Sequence, residues 1–121
     1  MPARQLAIVI DADDPDALRE FWVAAMRYEA HGSSGPYRSA VPPRGEAGPK
    51  LVFQRVDDLR TQTKNRVHID IVVGDAIDTE TVRLVALGAT RISTGLFEEA
   101  GSTWIVLADP EGNEFCLVSD T

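Results

Sequence analysis

The sequence predicts an α+β domain built from two tandem βαβββ modules, forming a curved antiparallel sheet around a cavity. Three observations predict it. Short runs of apolar or alternating residues recur between turn-rich stretches, as strands do. Two segments carry apolar residues at helical spacing, Leu18, Phe21, Trp22 and Ala25 in one and Val82, Val85 and Ala86 in the other. A gapless shift of 61 residues (69 − 8 = 61) lays Ile8 on Ile69, Ile10 on Ile71, Asp14 on Asp75 and Ala25 on Ala86. The expectation is one domain, residues 1–121, with one module over about 4–58 and the other over about 65–120.

The elements follow in order. Leu6–Ile10 is an apolar strand. Asp14 suits a helix N-cap, Pro15 the first helical position and Asp16 the positive end of the helix dipole, so a helix begins there. His31–Pro49 is rich in Gly, Pro and Ser and leaves room for one or two short strands around Tyr37–Val41. Lys50–Val56 is a strand and Asp57–Asn65 a polar connection. Arg66–Val73 restarts the pattern as a strand, and Asp75–Gly88 reads as a helix that Gly88 ends. Ala89–Ser93 and Ser102–Asp109 are strands on either side of a loop around Gly95–Gly101. In Asp109–Gly112, Pro110 fixes the second turn position and Gly112 closes the turn before the last strand, Glu114–Val118.

Composition narrows the function. The chain has 121 residues, 44% of them hydrophobic, enough for a single core. Its net charge of −7 argues against a nucleic-acid partner, which needs a basic face, and favours a cationic ligand. No apolar run reaches the roughly 18 residues of a membrane span, so no membrane partner is expected. The N-terminal stretch meets Asp11 too soon to form the apolar core of a signal peptide. The sole cysteine, Cys116, excludes an internal disulfide, and a reducing cytoplasm is the expected location.

The stretch Val67–Val73 carries the chemistry. Leu6, Ile8, Ile10, Val67, Ile69, Ile71, Phe115 and Leu117 share the phase expected to meet the helices. The opposite phase carries Ala7, Val9, His68, Asp70, Glu114, Cys116 and Val118. An imidazole and a carboxylate two residues apart on one strand face make a metal site, an acid–base site or a polar pocket wall. Bland readings stand beside the functional ones. His68 would only hydrogen-bond Asp70, the carboxylates would be solvated, and Cys116 would be a small apolar filler. Trp104 packs on a helix or lines the pocket, Trp22 belongs to the core, and Arg55 and Arg66 pair with surface acids.

The segments "VHIDIVVGD", "RLVALGA" and "WIVLADPEGNEFCLV" resemble the vicinal oxygen chelate superfamily of glyoxalases, extradiol dioxygenases and bleomycin-resistance proteins. Within it they are most similar to the bacterial glyoxalase-like domain subgroup. The resemblance implies that metal-binding members grip a divalent cation with a His on the first strand of each half and a Glu on the last strand. A fourth-strand residue of the first half often joins them. His68 matches the second-half His, but its first-half counterpart is Ala7, and the Glu position holds Cys116 with Glu114 two residues earlier. The fourth-strand position falls near Gln54. A catalytic metal needs about three protein ligands, and a set of His68, Cys116 and Glu114 would crowd two donors on one strand. No metal and no cofactor are therefore expected.

The resemblance and the residues together give three functional expectations. The first is a metal-free small-molecule-binding protein of the bleomycin-resistance type, taking a cationic or aromatic ligand on Gln54, His68, Asp70, Trp104, Glu114 and Cys116. The second is a metal-independent lyase, isomerase or hydrolase with His68 as general base, Asp70 assisting it and Glu114 as acid. The third is a metal-dependent glyoxalase or dioxygenase, against which Ala7 counts. Whether the chain is an enzyme stays open at this stage. A homodimer is expected, because open strand edges of this fold pair across a two-fold axis.

Overall fold

The computed structural model describes residues 6–57, 65, 67–99 and 101–119. Arg66, most of the Asp57–Asn65 connection and the last two residues lie outside them. The chain divides into two compact units, Met1–Thr61 and Gln62–Thr121.

The first unit runs β1 (Ala7–Ala12), α1 (Pro15–Met26), β2 (Glu29–Ser34), β3 (Tyr37–Val41) and β4 (Lys50–Arg55), with its strands in the order β1-β4-β3-β2. Asp14 caps α1 by accepting the backbone N–H of Ala17 at 3.1 Å, and Pro15 opens the helix. Leu18, Phe21, Trp22 and Ala25 are buried as one stripe, with Phe21 and Trp22 in edge-to-face contact at 5.3 Å. Arg55 pairs with Asp57 at 3.4 Å. Replacing Asp14 by Ala should cost about 1 kcal/mol in urea-induced unfolding, the usual worth of an N-cap. A loss under a few tenths would show that the cap bond contributes nothing.

The second unit runs β5 (Ile69–Val72), α2 (Ile77–Leu87), β6 (Thr90–Arg91), β7 (Phe97–Glu99), β8 (Ser102–Ala108) and β9 (Glu114–Ser119). Its strand order is β5-β9-β8-β6, with β7 also on β8. β6 and β7 both run antiparallel to β8, so together they act as one interrupted edge strand and the unit keeps the βαβββ plan.

The α+β fold of two modules stands as expected, with four corrections in detail. The sheets are mixed, not wholly antiparallel: β1 pairs parallel with β4, and β5 with β9. Parity requires it. The helix carries the chain back, so β2 runs with β1, and two reversals later β4 again runs with β1. The region around Gly95–Gly101 is not all loop, because Phe97 pairs with Trp104 across β7 and β8. The stretch from His31 also holds more strand than expected, with β2 starting at Glu29. Finally, α2 buries Ile77, Thr81 and Leu84, leaving Val82, Val85 and Ala86 exposed. The Thr81 hydroxyl, satisfied by the Ile77 carbonyl at 2.7 Å, lets a polar residue sit on the buried stripe.

The alternation that aims the site holds inside the strands but not before them: Leu6 and Val67, expected to meet the helices, are exposed, because β1 begins at Ala7 and β5 at Ile69. On β9, Phe115 and Leu117 are fully buried, while Ile69 and Ile71 on β5 are half-buried and Asp70 between them is exposed. The turn between β8 and β9 is built on Asp109, whose Oδ1 accepts the N–H groups of Glu111 at 3.0 Å and Asn113 at 2.9 Å. Gly112 takes a φ of 87°, the left-handed region glycine enters without strain, and its N–H closes the turn on the Asp109 carbonyl. Among the described residues no helix is long and apolar enough to cross a membrane.

Candidate ligand-binding site

Strand register assembles the site within the second unit. Asp70 on β5 lies opposite Cys116 on β9, and Cys116 lies opposite Val106 on β8. One row along, Val118 faces Trp104, and Trp104 faces Phe97. Period two puts all of these on one face of the sheet, with Glu114 two residues before Cys116, while His68 precedes β5 and reaches the same cavity beside Asp70. The face lines a half-open cavity of about 470 Å³ whose walls include His68, Asp70, Trp104, Glu114, Cys116 and Val118.

The His68 Nε2 and Asp70 Oδ1 atoms lie 3.1 Å apart, with side chains 53% and 54% exposed. That exposure makes the pair a weak contributor to stability, and it leaves both groups open to the cavity. Cys116 is buried at its base. Trp104 is half-buried and stacks on Phe97 with ring centroids 5.6 Å apart and planes 27° from parallel. Glu114 donates its backbone N–H to Asn65 Oδ1 at 3.3 Å, which ties the entry to β5 to the start of β9.

Of the residues singled out from the sequence, His68, Asp70, Trp104, Glu114 and Cys116 come together on this wall. Gln54 belongs to the first unit, on β4 with Asp11 and Tyr37 as strand neighbours. Sequence reasoning missed Val106, Asn65 and Phe97. Val106 was findable, since it sits two residues beyond Trp104 on a strand already read. Asn65 gave no periodic signal, and Phe97 was hidden in a stretch read as loop.

The glyoxalase-like domain family model matches residues 7–118. The chain belongs to the glyoxalase-like domain family. Solved structures share the fold of this glyoxalase-like protein. One is a glyoxalase/bleomycin resistance protein/dioxygenase family enzyme from Burkholderia phytofirmans PsJN, 19% identical with a TM-score of 0.79, covering 95% of this chain and 97% of that one. A glyoxalase-related enzyme from Fulvimarina pelagi is 16% identical with a TM-score of 0.73, over 98% and 89%. A glyoxalase/bleomycin resistance protein from Albidiferax ferrireducens T118 is 12% identical with a TM-score of 0.70, over 98% and 100%. At these identities the likeness is one of fold. No curated protein matches the chain.

The metal that some relatives in the wider superfamily hold can be tested against these donors. One ring nitrogen of His68, one carboxylate oxygen of Asp70 and the Cys116 Sγ all lie within 4.8 Å of one another. Three donors of three kinds thus converge, and the third is Asp70 where the sequence reading had considered Glu114. The set has enough donors for a cation, but His68 and Asp70 stand only two residues apart, the crowding that counted against His68, Cys116 and Glu114, and its chemistry is not that of the His and Glu set the resemblance implied.

Proposed function

We propose that this glyoxalase-like protein binds and sequesters a small aromatic cation, held by its own side chains in the cavity of the second unit. One observation carries the reading: the wall pairs Trp104 with the carboxylates of Asp70 and Glu114, and its described residues include no Lys or Arg. An indole face attracts a cation by about 0.5–2 kcal/mol, more when water is excluded. The net charge of −7 adds long-range attraction. Val106 and Val118 supply apolar area for a ring. Membership of the glyoxalase-like family supports a small-molecule role without naming the ligand.

A second reading keeps the same cavity but makes it catalytic. The 3.1 Å approach of His68 to Asp70 favours it, because a carboxylate beside an imidazole fixes the ring's orientation toward a bound substrate. His68 would take a proton from a bound substrate, and Glu114 would return one, as in a lyase, isomerase or hydrolase.

Titration with N-methylquinolinium, followed by the probe's own fluorescence, tests the first reading. Trp104→Ala and Glu114→Gln should each weaken binding roughly fivefold to tenfold, and added salt should weaken it further. Naphthalene sulfonate, its anionic counterpart, should bind far less. Equal binding of the two probes would overturn the assignment.

A further inference from the structure

We propose that Cys116 is the nucleophile of a Cys–His–Asp cluster that captures a neutral α,β-unsaturated carbonyl compound, an enal or enone, as a covalent thioether in the cavity of the second unit. This goes beyond both readings above, neither of which gives Cys116 any chemistry.

Three observations meet at the thiol. The Cys116 Sγ, one ring nitrogen of His68 and one carboxylate oxygen of Asp70 lie within 4.8 Å of one another. A nucleophile, a base and a group that orients the base are arranged in this way, and their contacts tighten from a looser spacing when the site is loaded. The β5–β9 ladder holds Asp70 opposite Cys116, while the half-exposed His68 ring lies 3.1 Å from Asp70, so a rotation carries it towards the sulfur. Cys116 also lines the cavity beside Trp104, Val106 and Val118, on the opposite face from the fully buried Leu117.

These surroundings select the electrophile. Sulfur is soft and polarizable, and the β-carbon of an enone is its soft counterpart. Trp104, Val106 and Val118 offer apolar area to a flat carbon chain. Asp70 and Glu114 repel an anionic electrophile, and the described wall residues include no Lys or Arg to offset them. The step balances within the cavity. An Sγ–C bond forms at the β-carbon, the C=C electron pair shifts onto the carbonyl oxygen as an enolate, and the thiol proton passes to His68. The imidazolium stands beside the enolate and returns the proton to the α-carbon. The S–H has then added across the double bond, with no leaving group and no oxidant.

Intact-mass measurement of alkylation reads the site directly, because Cys116 is the sole cysteine. N-ethylmaleimide, a neutral acceptor of this class, should add once, and roughly tenfold faster or more to the folded protein than to the same chain unfolded in urea. A thiol that only fills space would react more slowly when folded. His68→Ala should slow the addition about a hundredfold, and free imidazole should restore part of that loss while leaving the parent rate unchanged, which no structural role of the ring would produce. Asp70 is a positioning residue: Asp70→Asn should slow the addition roughly tenfold, with Asp70→Glu recovering most of it. Anionic iodoacetate should lag neutral iodoacetamide roughly tenfold further in the folded chain than in the unfolded one. Addition no faster to the folded chain, a rate indifferent to His68, or a His68→Ala loss that imidazole leaves untouched would overturn the proposal. N-methylquinolinium binding is measured separately on Cys116→Ser, where no capture occurs, so either idea can fail without the other.

Discussion

Phe115→Ala should lower the free energy of unfolding by about 3–5 kcal/mol, the cost of deleting a fully buried aromatic side chain and leaving a cavity. Asp70→Ala should change it by no more than about 0.5 kcal/mol. The two residues lie one ladder step apart: Ile69 pairs with Phe115, and Asp70 with Cys116. What separates them is the face. Phe115 is 1% exposed, in a layer with Leu117 and Ile105, whereas the Asp70 side chain is 54% exposed. A register slip of one residue would reverse those environments and set an unpaired carboxylate against the core, at a cost of several kcal/mol. Urea unfolding of both variants, with the slope unchanged, measures the contrast. Similar losses for the two would mean that the face assignment, and the site built on it, is wrong.

The same alternation explains what was legible in the sequence. Helix α1 announced itself because its cap, its proline and its apolar stripe all agree. β5 and β9 announced themselves because aliphatic and polar residues alternate. The gapless repeat held from Ile8 through the first helix but not to the end. Lys50 opens β4 and Glu114 opens β9, a separation of 64 rather than 61 (114 − 50 = 64). Loop lengths had drifted by three residues while the packed elements kept step. Strand direction was not legible from propensity, since parallel and antiparallel partners draw on the same residue types; only the parity of reversals determines it. The α2 face misled because Val82, Val85 and Ala86 form as good an apolar stripe as Ile77, Thr81 and Leu84. The buried role of Thr81 depends on a bond to its own helix backbone that composition does not display. At the site, His68, Asp70, Glu114 and Cys116 were visible as members of one face and were read as one site. The register that sets Asp70 directly opposite Cys116 was not legible, because it arises from the β5–β9 pairing.

Asp109→Ala should cost about 2–3 kcal/mol, the second-largest loss expected here and one that no apolar argument would anticipate. Asp109 is 2% exposed and ends β8 where the chain must reverse into β9. Its Oδ1 accepts from the Glu111 and Asn113 backbones and its Oδ2 from Asn113 Nδ2 at 2.9 Å. Hydrogen bonds to a charged group are worth about 1.5–3 kcal/mol where deletion leaves the partners unpaired. The cost here stays near that of one such bond, well below the sum of three, because Glu111 and Asn113 are only half-buried and their freed N–H groups can turn to water. Asp109→Asn keeps an acceptor for the two backbone donors and should lose only about 1 kcal/mol. The consequence reaches function. Glu114 follows Gly112 by two residues, and Cys116 by four, so the turn sets where β9 begins and which side chains enter the cavity. Asp109→Ala should therefore weaken N-methylquinolinium binding as well as stability, with Asp109→Asn restoring most of both. Thermal unfolding and the fluorescence titration, run on the same two variants, check the coupling: a destabilised Asp109→Ala that binds as tightly as the parent would show that β9 is aimed by its ladder partners and not by the turn.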